Sequence, residues 1–401
     1  MAVRVSTSQL FAQGVDLLRD RFAELARTQR QLATGRRIAT PSEDPAGMAS
    51  VLRAAEAIAR TEQHQRNITV LRARLGAEEA ALAGAASILQ RARELAVRGA
   101  NDTLSASDRE AVAREVDGLV DDLLAAANAT DGAGNYLFAG NRVRTEPFAR
   151  AASGGGFSYR GDQGQARLEA GPGQRLALGD PGSRVFMDVP AGNGTFVTGY
   201  GAGNAGTGII DLGTVVDPAA WVADTYTIRF TSATAWEVRD SGGALVASGT
   251  YASGAAIAFR GVEVAITGAP AAGDTFTVAP DTGADTFSAL EALARALRAP
   301  GGTPAERARR RMDLDRALAR IDQGLARLLE VRAEVGARLN AADLQEQVNE
   351  ELLLAMRRAR SRTEDLDYAE AASRMQRQLL ALEAAQRSFA RVAGLSLFQY
   401  L

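Results

Sequence analysis

Tyr368-Ala-Glu-Ala-Ala-Ser-Arg-Met375-Gln-Arg-Gln-Leu379-Leu-Ala-Leu382-Glu-Ala-Ala-Gln386-Arg-Ser-Phe389-Ala-Arg-Val-Ala393 is the stretch that decides the architecture. Tyr368, Ala372, Met375, Leu379, Leu382, Gln386, Phe389 and Ala393 follow one another by four and three residues. That spacing draws one seam along a helix, as in a coiled coil. Arg374, Arg377, Glu383, Arg387 and Arg391 lie off the seam and keep the other face wet. Beyond it come Leu395, Leu397, Phe398, Tyr400 and Leu401. A chain end is ordinarily polar and frayed, so an apolar one expects a partner.

A matching stripe lies near the other end: Phe11, Val15, Leu18, Phe22, Leu25, Gln29 and Leu32. Two heptad helices at the extremes imply that the chain leaves one place and returns to it. The plain alternative is an ordinary helix pair within one molecule. A lone pair buries little apolar surface against the entropy of ordering both ends. The expectation is therefore that the ends are mobile in the monomer and become helical when copies pack together.

Between the stripes, the first helix is predicted over Ser8–Thr34, stopping at Gly35. Arg36-Arg37-Ile38-Ala39-Thr40-Pro41-Ser42-Glu43-Asp44-Pro45 is then a loop, with Asp44 capping the next helix and Pro45 in its first position. That helix runs to about Arg98, interrupted only by Gly76 and Gly84, and at 1.5 Å per residue is roughly 80 Å long, a rod. Ser107-Asp-Arg-Glu110 reads as the capping box of a third helix reaching Asn128, with Val112, Val116, Leu119, Leu123 and Leu124 on its apolar face. Tyr136-Leu-Phe138 is expected to begin extended structure.

From Phe148 to Pro280 glycine, threonine, serine and valine replace the charged residues. Alternating runs such as Tyr226–Phe230, Trp236–Arg239 and Val262–Ile266, separated by turns, predict a β domain. Gly192–Gly208 is so rich in glycine that a long, poorly packed loop is expected. Helix resumes at Phe287–Arg298, and Thr303-Pro-Ala-Glu306 caps a last long helix carrying Leu314, Leu318, Ile321, Leu325, Leu328, Val331, Val335 and Leu339. The expected fold is α+β: a long antiparallel helical rod with terminal coiled-coil helices and an inserted β-rich domain. The segments are 1–40 and 358–401 (terminal coiled coil), 41–147 and 283–357 (rod), and 148–282 (β domain).

Composition removes several classes of function. The chain has 401 residues, formal net charge −2 and no cysteine, and all 46 of its Lys+Arg residues are arginine. Nothing marks a nucleic-acid binder, and disulfides and thiol chemistry are excluded. The first residues carry no apolar signal-peptide core, and no apolar run is long enough for membrane insertion. No zinc-protease, nucleophile-elbow or phosphate-loop motif occurs. His64 sits in a polar helical stretch and reads as a solvated surface residue. Asp121-Asp122 and Glu364-Asp365 read as solvated acidic pairs. No enzyme, metal or cofactor is expected. Trp221, Tyr226, Trp236 and Tyr251 could form a ligand-binding face of the β domain, with core packing the favoured reading.

Arg4-Val-Ser-Thr-Ser8, Leu32-Ala-Thr-Gly-Arg-Arg-Ile38 with Pro41-Ser-Glu-Asp-Pro45, Asn135-Tyr-Leu-Phe-Ala-Gly140, Arg360–Ala369 and the ending Gly394–Leu401 together carry a family resemblance. The chain resembles the flagellin-like axial proteins of the bacterial flagellum. The paired prolines and the chain ending are more similar to the hook–filament junction members than to filament flagellins. Gly261–Pro280 resembles an outer β domain of hook-associated proteins. The resemblance implies a structural subunit exported through the flagellum's own type III channel with a cytosolic chaperone. It further implies an extracellular homo-oligomeric layer between the first junction protein and flagellin. In that layer Phe11, Val15, Leu18, Phe22, Leu25, Leu32, Tyr368, Met375, Leu379, Leu382, Phe389, Leu395, Leu397 and Phe398 would lie at subunit interfaces. Arg36, Arg37, Pro41, Asp44 and Pro45 would shape the inter-helix loop. Filament flagellin itself is the alternative.

Overall fold

The computed structural model describes residues 7–101, 104–151 and 156–394. Six α-helices carry the α part: α1 (Thr7–Thr34), α2 (Pro45–Gly99), α3 (Ala106–Ala127), α4 (Thr286–Arg298), α5 (Pro304–Glu364) and α6 (Tyr368–Gly394). Among the described residues, thirteen strands lie between α3 and α4. The chain forms two compact units, one from its two ends (up to Arg66, and from Gln345 on), the other from Asn67–Leu344.

Helix ends follow local chemistry. α1 stops before Gly35, whose φ of +70° only glycine adopts cheaply. Asp44 caps α2, its Oδ1 accepting the Gly47 N–H at 2.8 Å. Thr303 and Glu306 cap α5 reciprocally, at 3.2 and 2.9 Å. α3 corrects the reading by two residues: its cap is Ser105, whose Oγ accepts the Asp108 N–H while the Asp108 carboxylate accepts that of Ser105. An aspartate three residues on closes the box as well as the glutamate expected there.

In the unit spanning Asn67–Leu344 the apolar faces of α2, α3, α4 and α5 share one core. Ile68, Leu71, Leu75, Leu82 and Leu89 meet Leu314, Ile321, Leu328, Val331 and Val335, so the repeat read in α5 is its buried face. Phe148, Phe157, Phe186 and Phe287 knot this core together, with ring centroids 4.7–5.7 Å apart. Tyr136–Phe138 forms no strand. Only a single bridge joins Tyr136 to Thr130, and Leu137 and Phe138 turn into the helical core. Burying two side chains outweighs the β propensity of the triplet.

Two hairpins, β1 (Phe148–Arg150) with β2 (Phe157–Tyr159) and β3 (Arg167–Gly171) with β4 (Gln174–Ala177), precede a π-helical turn, Ser183–Met187. The remaining strands are β5 (Phe196–Tyr200), β6 (Ile209–Ile210), β7 (Thr214–Val215), β8 (Tyr226–Ser232), β9 (Ala235–Arg239), β10 (Leu245–Thr250), β11 (Ala256–Phe259), β12 (Val262–Thr267) and β13 (Thr275–Pro280). They form a five-stranded sheet ordered β10-β9-β8-β13-β5 and a smaller one ordered β11-β12-β6, with β7 also on β12. Alternate residues (Tyr226, Ile228, Phe230; Val262, Val264, Ile266) fill a second core that Met312 of α5 enters. Trp221, Trp236 and Tyr251 pack against that core, so these aromatics do not form an open binding face.

Gly192–Gly208 is not the loose loop expected. It contains β5, paired with β13 over Phe196–Tyr200, and Phe196 is fully buried. The glycines allow close approach: a Cβ on Gly199 would lie 2.1 Å from Thr277 Oγ1. His64 is also corrected, being buried with its Nδ1 unpartnered.

The β11–β12 turn carries the only non-glycine positive φ among the described residues, Arg260 at +46°, followed by Gly261 at +77°. Two left-handed residues suit Asn-Gly. Arg260→Asn is expected to stabilise the chain by about 1 kcal/mol, visible as a higher urea midpoint with unchanged slope.

Candidate assembly surface at the paired chain ends

The two terminal stripes meet each other. α1 and α6 pack as a pair within one chain, burying Leu25, Ala371 and Leu382. Phe389 lies over Gly14, where a Cβ would stand 2.6 Å from its ring, and packs at a tilt of 49° against Phe11 with centroids 5.0 Å apart. Val15, Leu18, Leu32, Met375 and Phe389 are half-buried in this seam. Thr28 and Gln31 are buried with it although polar, each satisfied by a main-chain carbonyl.

The pair does not cover its own apolar surface. Phe11, Phe22 and Tyr368 remain 52, 51 and 58% exposed, and Leu379 39%. Sequence reasoning missed Leu17 and Leu380, at 48 and 67%, each beside a seam residue in a Leu-Leu doublet that widens the stripe. Leu52 on α2 and Val348 and Leu354 on α5 add exposed apolar side chains to the same unit. Nine large apolar side chains left open among the described residues of one unit are more than scattered surface residues require, and they mark it as a candidate interaction surface. Leu395, Leu397 and Phe398 lie outside the described residues.

The loop after α1 is stapled to the α5–α6 corner. Arg37 N–H donates to Glu364 O at 2.7 Å, and Leu366 N–H to Gly35 O at 3.0 Å. The Arg37 guanidinium donates twice to Thr363 O, at 3.0 and 2.9 Å, and pairs with Asp44 at 3.5 Å. Gln31 Nε2 holds Arg37 O at 2.7 Å. Arg36 pairs with Glu364 at 3.1 Å, and Arg360 reaches the same carboxylate at 3.1 Å. Glu364 is thus a buried, doubly paired acid and not the solvated residue expected. Glu43 closes the loop by accepting the N–H groups of Ala39 and Thr40. The Ala39 bond chiefly, against the cost of burial, holds its carboxyl below the usual range. Pro41 is exposed, and Pro45 is the first residue of α2.

Beside this corner lies a cleft of about 620 Å³, lined by Glu24, Arg27, Gln31, Glu43, Glu370 and Arg374 among others. Both signs of charge face it, which suits a polar protein surface. Among the described residues no group of His, Asp and Glu could hold a metal ion, and no helix is long and apolar enough to cross a membrane. What the paired ends offer is surface and shape.

Comparison with known proteins bears on the same regions. Residues 5–142 match the family described as bacterial flagellin N-terminal helical region, and 201–280 the D2-like domain of flagellar hook-associated protein 1. Flagellar hook-associated protein 3 of Salmonella typhimurium is 29% identical over 187 residues, covering 47% of this chain and 58% of that protein's length. The crystal structure of Xanthomonas campestris FlgL is 34% identical, with TM-score 0.69, covering 75% of this chain and 99% of that one. The flagellar junction protein FlgL of Legionella pneumophila is 30% identical, with TM-score 0.72, covering 78% and 99%.

Proposed function

The chain belongs to the flagellar hook-associated protein 3 family, and from that premise we propose that it is a structural subunit of the junction between hook and filament. The observation that carries the reading is the apolar surface left open on the α1–α6 pair. One molecule leaves Phe11, Leu17, Phe22 and Leu380 facing water, and several neighbouring copies remove that cost. Subunits joined head to tail by such unlike surfaces build tubes or helical layers. In this proposal residues 1–40 and 358–401 form the inner layer, 41–147 and 283–357 its helical surround, and 148–282 the outward β domain. The first junction protein lies on one side and flagellin on the other. Export is through the flagellar type III channel with a cytosolic chaperone, and a chain without disulfides threads a narrow channel readily.

A strain lacking the gene, supplied with a chain ending at Met375, is expected to form hooks and release flagellin into the medium. Motile cells with normal filaments would overturn the proposal. The match of 5–142 to the flagellin N-terminal region supports one other reading, a bulk filament subunit. Purified protein that grows long filaments alone would favour that reading, whereas a junction subunit stays short.

A further inference from the structure

Within the unit built from Asn67–Leu344, α2 carries Glu78 with no exposed surface. Its Oε1 accepts the Asp180 N–H at 2.9 Å, and its Oε2 is buried without a partner. Asp180 itself is buried, held by Arg184 of the π-helical turn at 3.2 Å, by Arg338 of α5, and by Gln165 at 3.1 Å. Glu334, one turn back on α5, pairs with both arginines. On the α2 side Arg74 is committed to Asp131 at 3.0 Å and to the Tyr136 carbonyl at 3.1 Å.

The charges around the site can be matched one to one. Asp180 and Glu334 answer Arg184 and Arg338, and Asp131 answers Arg74. Every guanidinium facing Glu78 already has its carboxylate, so an ionised Glu78 would be a further buried anion with no cation left for it. Arg338 is paired with Asp180 and Glu334, and its buried Nη1 makes no hydrogen bond to Glu78. A buried, unpaired carboxylate is among the costliest groups a fold can hold, and taking up a proton removes most of that cost.

We propose that Glu78 is a proton-operated latch: its neutral carboxyl holds the Asp180 segment between α2 and α5, and loss of the proton in alkaline solution releases that segment. Burial first, and the neighbouring Asp180 charge second, push the carboxyl from 4.5 up to about 8. Between those values the folded chain keeps a proton that the unfolded chain has lost. Stability therefore falls as pH rises through that window and is lowest above about 8.

Two measurements on the full chain test the latch. Infrared spectra with labelled glutamate should show a protonated carboxyl at pH about 6.5 that is gone by about 9.5, and that is missing from Glu78→Gln. Hydrogen exchange of the amides around Asp180, corrected for intrinsic rates, should lose at least about tenfold in protection over the same range in the native chain and change little in Glu78→Gln. An ionised Glu78 at the lower pH, or parallel loss of protection in both chains, would overturn the proposal. Absence of any protonated glutamate carboxyl at the lower pH in the native chain would overturn the proposal even if the variant does not fold.

Discussion

Leu380→Asp is expected to leave the isolated chain as stable as before and to abolish its assembly. Leu380 is 67% exposed on α6, so an aspartate there meets water, and the change in unfolding free energy should stay within about 0.5 kcal/mol. If the open face of the α1–α6 pair is buried between copies, the same carboxylate is desolvated there without a partner, a loss of roughly 2–5 kcal/mol at every contact. Phe389→Asp supplies the contrast. Its ring covers Gly14 and packs against Phe11 within one chain, so the pair itself should weaken, by about 2–4 kcal/mol. Hydrogen exchange across α1 and α6 should then accelerate in Phe389→Asp and not in Leu380→Asp. Cells carrying either variant should make hooks and shed flagellin. Normal filaments with Leu380→Asp would show that the exposed stripe is not a subunit contact. In the dilute native chain the pair is expected to be only marginally protected, and amide protection there as strong as in the Asn67–Leu344 unit would defeat the expectation that the ends become fully ordered on assembly.

What could be read from the chain, and what could not, divides by the range of the interactions. The caps at Asp44 and Thr303, the stop at Gly35 and the repeats in α5 and α6 depend on neighbours within a few residues, and those neighbours are visible in the sequence. The apolar alternation of β8 and β12 is equally local. β5 escaped because Phe196-Val-Thr-Gly-Tyr200 is short and surrounded by glycine. Its strand character comes from pairing with β13, far along the chain. His64 was misread for a related reason. Its own turn of α2 is polar, and burial there is decided by α5, where Gln65 donates to Glu346 O at 3.2 Å. Glu78 looks like any surface glutamate of a long helix until Asp180, Glu334 and Arg338 are brought around it. The width of the assembly surface was half-visible. A strict heptad seam selects Leu18 and Leu379, whereas their neighbours Leu17 and Leu380 are left more open than they are.

Gly35→Val should disable the corner on which both terminal helices turn, whereas Arg36→Ala beside it should do little. Gly35 has φ +70°, and a Cβ there would lie 2.7 Å from the Tyr368 hydroxyl. A β-branched residue in that conformation costs about 1–2 kcal/mol before any contact is considered. Relieving the strain moves the carbonyl that accepts the Leu366 N–H and the chain that leads to Arg37 N–H. Each hydrogen bond lost there adds roughly 0.5–1.5 kcal/mol, so a total of about 2–4 kcal/mol is expected. Arg36 contributes an ion pair from a side chain that is 61% exposed, and such pairs are worth at most about 1 kcal/mol. Glu364 also keeps Arg360 when Arg36 is removed. Chemical unfolding followed by a probe on α6 separates the two variants. Equal loss in both would mean that the ion pairs hold the corner, and equal indifference that the turn after α1 is free to move without disturbing α6. A loss confined to Gly35→Val would locate the rigidity of the corner in its backbone, where a single side chain cannot be traded for another.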